Sequence, residues 1–539
     1  MTKETDYIIV GGGSAGCVIA NRLSADADTS VALLDAGRKD NHLYTRVPAG
    51  QMGAFTRPDM NWLFTAQPDP SINHREQWWP AGRVLGGGSS INGMMFVRGH
   101  AGDYDDWAAN GCTGWSYREV LPYFKRLERN EAGADEWRGD SGPLSVSSVR
   151  IDHPLTDAFV ASAEAIGIRR NHDLNGKEAE GVGYCQASQR NGWRHSTAQA
   201  FIRPIKHRPN LQVEHHATVT RILLENGQAV GVEYSQRGHT RRLHARRGVI
   251  LSAGAMVSPK LLMLSGIGDP EQLAAHGIET KLSMPSVGKN LQEHAVGRVE
   301  VRFAGMGTIT SDLNLFTAVR HGIDYLLRGR GALATCIGHA MALVRTSPAV
   351  TRPDAQIIFA PLDFTLTEKG ARPSFEPTVT FGIGLCHAHS RGEIRLRSGD
   401  PFDAPIIDYP LLGDARDMAT LIAASRLTRQ LIAADPIARY VEAELMPGEQ
   451  VQSDADWETY LRETAGLMYH PCGTCRMGSD SASVVDPSLK VRGIHRLWVA
   501  DASVIPEIPA GNINATCIMI GEKAADLIAG NVVCESSVK

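Results

Sequence analysis

No apolar stretch in this sequence approaches the roughly 20 residues needed to cross a bilayer, so no membrane-spanning helix is expected. A surplus of one charge is missing too. Lys and Arg total 55 against 59 Asp and Glu, a net −4, so the chain as a whole favours neither nucleic acid nor an anionic membrane. Cysteine lacks framework spacing. Nine are scattered along the chain, an odd number, and free thiols in a reducing compartment are the simplest expectation. The one CxxC is Cys472-Gly473-Thr474-Cys475. With no second CxxC and no thioredoxin-like unit around it, neither dithiol chemistry nor a metal is expected there. Met1-Thr2-Lys3-Glu4-Thr5-Asp6 runs at once into a strand, which leaves no room for a signal peptide. A cytoplasmic location is expected, with peripheral membrane attachment left open.

What is present is ordinary in bulk and specific in places. Hydrophobic residues make up 43% and charged residues 21%, the balance of a soluble globular chain. At 539 residues the chain exceeds one small core, so two or more domains are expected. The first forty residues organise the rest. Tyr7-Ile8-Ile9-Val10 reads as a strand, Gly11-Gly12-Gly13-Ser14-Ala15-Gly16 as a glycine turn opening a helix, and Val31–Leu34 as a second strand ending at Asp35. Gly11 permits the sharp turn, Gly13 lets backbone approach a pyrophosphate, and Gly16 lets helix pack on sheet. The first helical N–H groups, Ser14 among them, face the phosphates. Asp35, nineteen residues after Gly16, is placed to accept from ribose hydroxyls. The motif implies a dinucleotide without saying which.

A second glycine block, Gly86-Gly87-Gly88-Ser89-Ser90-Ile91-Asn92-Gly93, can lie against a flat or charged ligand. Residues 41–80 read as irregular, 103–130 as helical, 143–149 as a strand and 155–167 as a helix. Strands are expected at 211–214, 219–224 and 229–234, and 247–255 reads as a buried strand ending in a small-residue turn of the kind that borders ligands in α/β sheets. Residues 300–460 alternate apolar strands with long loops, the texture of an antiparallel sheet. Arg496–Ala502 is a buried strand ending at Asp501, and a final helix spans 516–528. The expected fold is therefore α/β: a Rossmann-like nucleotide-binding domain with a mostly parallel sheet, plus an α+β substrate domain with antiparallel sheet. The boundaries expected are 1–150, 200–300 and 465–539 for the first, and 151–199 and 301–464 for the second.

Five separated motifs, the opening glycine turn the first of them, in order, resemble the glucose–methanol–choline (GMC) oxidoreductase family. Residues 82–105 are similar to its first signature and Gly254–Gly268 to its second. Val287-Gly288-Lys289-Asn290-Leu291-Gln292-Glu293-His294 resembles VGxNLQDH, with Glu293 in place of the usual Asp, and Tyr469–Gly478 resembles HPxGTCxMG. The nearest flavour is the bacterial alcohol, choline, sorbose and polyethylene-glycol dehydrogenase group. The resemblance implies FAD. Gly11, Gly13, Gly16 and Asp35 would hold the ADP half, with Val219 touching adenine through its backbone. Gly86, Gly87, Ser90, Asn92 and Gly93 would line the pyrophosphate and ring, and Asp501 and Ala502 the ribityl chain. Some members tether the flavin through a His just before the Asn92 position; here that residue is Ile91, so noncovalent FAD is expected.

Oxidising an alcohol removes a proton from oxygen and a hydride from carbon. The resemblance gives the hydride to the flavin N5 and makes His470 the general base, an imidazole expected to titrate near neutral pH. It places Asn512 opposite as a donor to the substrate oxygen, with Asn514 the alternative two residues on. The activity so implied is oxidation of an alcohol, with a primary one favoured, choline-dehydrogenase-like, passing electrons to oxygen, a quinone or another acceptor. The alternative is nonredox or light-driven use of the same scaffold, as in hydroxynitrile lyases or fatty-acid decarboxylases. His387 and His389 are expected to alternate on a strand without holding a metal, and Arg194 and His195 to be structural or rim residues.

Overall fold

In a computed structural model of the chain, residues 4–367 and 370–530 are described, without the side chains of 364–373. Two seven-stranded sheets carry the architecture. Glu4–Val10 lies in the middle of the first, buried along all but its first residue. Its β-branched and aromatic side chains suit a strand covered on both faces. It runs parallel to Val31–Leu34 on one side and His239–Leu251 on the other. Leu211–Glu214 extends the sheet in parallel beyond Val31–Leu34, and Leu497–Val499 adds in parallel to the end of His239–Leu251. The hairpin of Ala217–Glu225 and Gln228–Gln236 completes it antiparallel. The sheet is thus mixed, parallel at its core with an antiparallel edge.

The second sheet is antiparallel throughout, in the order Val441–Met446, Ala295–Phe303, Thr378–Leu385, Ala355–Phe359, Ala340–Val344, Gly181–Tyr184. Gly466–Leu467 also pairs with Ala295–Phe303, just past the expected boundary at 465. The helix Ala415–Ile432 packs on this sheet. His387 and His389 do not alternate on a strand. The strand ends at Leu385, and the two follow in a turn where the His387 ring bonds Asp103 at 2.8 Å and the His389 N–H bonds Asp417.

The two ends of the chain meet at the first helix, Ser14–Leu23. The closing helix Asn514–Ala529 lies along it so closely that a Cβ on Gly521 would come 2.8 Å from Ala15 O. Buried Glu522 holds Arg22 at 2.6 Å and Arg126 at 2.7 Å, tying the contact to the helix Tyr117–Leu127.

The segment leaving the second glycine block is anchored by a buried ion cluster. The carboxylate of Glu128 pairs with both Arg98 and Arg138, all three 0–1% exposed, and Arg138 also reaches Asp173 at 2.6 Å. Removing one partner of such a cluster strands buried charge, which costs about 3–5 kcal/mol. Glu128→Gln should therefore lower urea-unfolding stability by about that amount; a loss under about 1 kcal/mol, the range of an exposed pair, would show that water reaches the two guanidiniums.

Candidate active site

Both glycine blocks converge at the C-terminal ends of the parallel strands. Gly11 turns the chain at φ +97°, and a Cβ there would sit 2.5 Å from Ser252 O at the end of the neighbouring strand. Gly16 approaches Gly11 O so closely that a Cβ would lie 2.0 Å away. The second block is laid directly on the first. Gly86 N–H donates to Gly12 O at 2.6 Å, and a Cβ on Gly87, at φ +54°, would meet Gly13 Cα at 2.8 Å.

Gly13 is different. A Cβ there would come no nearer than 3.7 Å to any protein atom, so packing within the chain does not require glycine. It caps the first helix without a side-chain hydrogen bond, leaving first-turn N–H groups open to an anion. A Cβ on Gly254 would likewise meet nothing within 4 Å. Asn512 Oδ1 is buried with no partner. A cradle that protein atoms leave open, beside an unpaired buried acceptor, fits a dinucleotide with a polar ring edge.

The acids at this site first serve their own loops. Asp35 accepts from Gly12 N–H at 2.8 Å and Gly37 N–H at 2.7 Å, and burial raises its pKa against those bonds. Asp501 is more fully committed: Ser503 N–H and Oγ bond one oxygen at 2.8 and 2.5 Å, Gly254 N–H and Ser258 Oγ the other at 2.9 and 2.5 Å. Its neighbour Ala502 begins a single turn, Ala502–Val504, capped by that carboxylate. Ser90 gives its hydroxyl to Leu85 O at 2.8 Å and is fully buried. Asn92 accepts from Arg194 at 2.8 Å, and Gly93 lies against Ile337, whose Cγ2 would be 2.3 Å from a Cβ. Val219 pairs with Tyr234 just before the strand register shifts by one residue. Ile91 packs with Ala54, Met60 and Val84.

Two residues that the sequence reading left without a role, Glu293 and His294, sit behind His470. The carboxylate of fully buried Glu293 accepts His470 N–H at 2.6 and 2.8 Å and His294 N–H at 2.9 Å. Burial pushes its pKa up to about 8 against these backbone bonds. They hold the loop with Tyr469 at φ +64°, a strained backbone for an aromatic residue. His294 Nε2 lies 3.0 Å from the carbonyl of Cys386, which can only accept, so that nitrogen carries the proton. His294 Nδ1 then accepts from His470 Nδ1–H at 3.0 Å. This leaves the lone pair of His470 on Nε2, and Asn512 Nδ2 faces it at 3.2 Å. Asn514 turns elsewhere, donating to Ser14 Oγ at 2.8 Å at the start of the first helix. The signal for Glu293 and His294 was their shared place in one motif; nothing in the sequence said the motif folds back onto His470.

Burial lowers His470 to about 3 and takes His294 well below the usual histidine value. The expected titration near neutral pH is therefore displaced: both rings stay neutral through the physiological range. Arg194, expected as a structural or rim residue, is buried beside Asn92 with Nε and Nη2 unpaired, and burial lowers it to about 10. Cys472 and Cys475 are buried free thiols, and among the described residues no three His, Cys, Asp or Glu side chains cluster as a metal site.

A two-sheet enzyme with a dinucleotide cradle on one sheet and a proton acceptor facing it belongs to the flavin-type oxidoreductases in architecture. Two family profiles, each described as GMC oxidoreductase, match residues 5–296 and 388–521. An uncharacterised GMC-type oxidoreductase of Mycobacterium tuberculosis is 43% identical over 537 residues, 98% of this chain and 100% of that protein. An oxygen-dependent choline dehydrogenase of Brucella canis is 40% identical over 529 residues, 98% of this chain and 96% of that one. The crystal structure of pyridoxine 4-oxidase from Mesorbium loti superposes with a TM-score of 0.87 at 30% identity, covering 97% of this chain and 98% of that one. The chain belongs to the GMC oxidoreductase family, FAD-dependent enzymes acting on CH–OH groups.

The buried histidines set an acid limit on stability. A neutral ring with a folded pKa below 6.5 takes up its proton only on unfolding, so stability falls as pH drops from about 6.5 toward 3. Glu293 acts in the opposite sense, losing stability as pH rises from about 4.5 toward 8. Replacing His294 with Gln keeps a donor for Cys386 O and removes one titrating ring. Its urea midpoint should then fall less than that of the native chain between pH 7 and pH 5; an equal fall would place the sensitive groups elsewhere.

Proposed function

We propose that this enzyme oxidises an alcohol to an aldehyde, with His470 Nε2 taking the hydroxyl proton and Asn512 orienting the oxygen. The observation that carries the reading is the tautomer chain from Cys386 O through His294 to His470, which leaves an unprotonated nitrogen beside a fixed amide donor. A primary alcohol on a compact head is favoured by likeness to the Brucella choline dehydrogenase and to pyridoxine 4-oxidase. A nonredox lyase or light-driven use of the scaffold has no observation in its favour.

The chain's parts divide accordingly. The mixed sheet with both glycine blocks (1–150, 200–300, 465–539) is the cofactor domain, and the antiparallel sheet (151–199, 301–464) covers the substrate. FAD would lie noncovalently on Gly13, Ser14 and Gly87, because Ile91 offers no atom for a covalent tether. Asp35 would take the ribose with the lone pairs that Gly12 and Gly37 leave free. Asp501, whose four bonds are filled, would shape the ribityl wall through Ala502 backbone rather than through its own carboxylate. When bound, FAD supplies the acceptor for the hydride leaving the carbinol carbon.

The remaining steps belong to the protein. A hydroxyl entering between Asn512 and His470 displaces the Asn512–His470 contact. It accepts from the amide and donates to Nε2. As the proton moves to Nε2, the Nδ1–H bond to His294 strengthens, because the ring becomes an imidazolium. Glu293, behind the His470 backbone, holds the loop that aims the ring. His294 keeps its Nε2–H bond to Cys386 O while its Nδ1 accepts from the charged ring, so the two rings share the load of the proton.

His470→Ala should slow anaerobic flavin reduction about 10²–10⁴-fold, the scale of a positioned general base, with FAD retained. Asn512→Ala should slow it less. The native rate at low alcohol should stay level from pH 5 to 7, where an unperturbed histidine would cut it. A native rate in His470→Ala would place the base elsewhere, and a limb near pH 6.5 that disappears with His470 would show that the ring titrates unshifted in the free enzyme.

Asp35→Ala removes a charged acceptor worth about 1.5–3 kcal/mol and also releases Gly12. FAD content after purification should drop, while turnover per bound FAD holds. Full FAD content in the variant would show that the ribose is held by other groups.

A further inference from the structure

The helix Leu315–Arg328 is turned inside out. Leu315, Phe316, Val319, Ile323, Leu326 and Leu327 form one face, at the i, i+4, i+8, i+11 spacing of a single apolar stripe. That face points to solvent: Leu315, Phe316, Leu326 and Leu327 are 77–84% exposed. Of its residues only Tyr325 is buried, against Trp193. The polar face instead overhangs a cavity of about 320 Å³. Four arginines line it, Arg150, Arg320, Arg328 and Arg330, against three aspartates, and the Nε of Arg150 is buried without a partner.

An apolar face of this kind is held out of water by something. A 14-residue helix is about 21 Å long and its stripe about 10 Å wide, so it covers about 200 Å². A stable protein interface needs about 800 Å² from each partner. A lone stripe is too small for a second copy, yet its size and exposure suit insertion about 5–10 Å deep into a lipid surface. Charge points the same way. Arg150 pairs with Glu131, Arg328 with Asp324 and Arg330 with Asp152, which leaves Arg320, among the described residues, as the cavity arginine without a carboxylate, at the level where phosphates would lie. Among the described residues no helix is long and apolar enough to cross a membrane, so attachment would be in the plane.

We propose that Leu315–Arg328 docks flat on an anionic phospholipid bilayer, its apolar stripe among the acyl chains and its arginines at the phosphates. The chain continues from this helix through Gly329 and Gly331 to Ile337, which lies against Gly93 of the second glycine block. Docking therefore brings that side of the enzyme to the lipid surface. The inference rests on the helix and cavity alone and stands apart from the catalytic reading.

The test floats FAD-loaded full-length enzyme through a density gradient with vesicles of phosphatidylcholine alone or mixed with phosphatidylglycerol. The native enzyme should rise with the mixed vesicles at low salt and less with phosphatidylcholine, and added salt should release it. Phe316→Glu with Leu326→Glu should cut binding about tenfold or more, since both side chains leave the acyl region. FAD content and turnover of a water-soluble alcohol should not change. Arg320→Glu with Arg328→Glu should abolish the preference for the anionic lipid. Native enzyme that stays down with both vesicles overturns the proposal, as does unaltered flotation of either double variant. So does a lipid-free dimer that the Phe316→Glu, Leu326→Glu variant turns into monomer, which would make the stripe a contact between copies.

Discussion

Everything at the candidate site depends on one buried carboxylate. Glu293 has no side-chain cation beside it; it is held by backbone N–H groups, two of them from the histidines on either side of the proton path. That arrangement joins a strand start in the antiparallel sheet to a loop that returns to the mixed sheet. It also holds Tyr469 in a left-handed backbone and so aims His470. The family's usual residue at this position is Asp, one methylene shorter. The longer Glu can bridge both amides without drawing the two segments closer. The balance is fine, since burial favours the neutral acid while the N–H donors favour the anion.

A second consequence follows for the histidines. Neither His470 nor His294 has an acid against its ring; burial pushes both below the usual range, and His470 and His387 lower His294 further. A base with so low a resting pKa would accept a proton poorly. The site compensates by geometry: Nδ1–H of His470 is already paired with a lone pair, and that pairing gains strength as the ring charges. Proton affinity thus rises during the reaction and not before it, so the free enzyme keeps a neutral, correctly oriented ring across a wide pH range.

Much of this was legible in the sequence because it is local. The strand–turn–helix of Tyr7–Leu23 rests on contacts within the segment and on glycine sterics, and it folds as the spacing predicts. The closing helix and the pair His470 and Asn512 were legible through motif resemblance, and the structure brings the two side chains together at 3.2 Å. Three things were not. His387 and His389 alternate like a strand, but the ladder stops at Leu385 because the chain there turns to meet Asp103 and Asp417. Asp501 was expected beside the ribityl chain; that four hydrogen bonds within the protein occupy its carboxylate is created only by the meeting of two distant segments, 254–258 and 501–503. The titration of His470 read as that of an ordinary imidazole, because burial is a property of the whole fold.

The helix Leu315–Arg328 shows the same limit from the other side. Its periodicity alone predicts an amphipathic helix packed on the core, since apolar stripes nearly always face inward. Here the segment beneath the helix supplies Arg150, Asp152 and His153 alongside Ile151, a mixed lining in place of an apolar floor. Arg320, His321, Asp324 and Arg328 of the helix face this lining, and the apolar stripe is left on the opposite side. The proposed lipid surface would supply the burial that the fold itself does not give this apolar face.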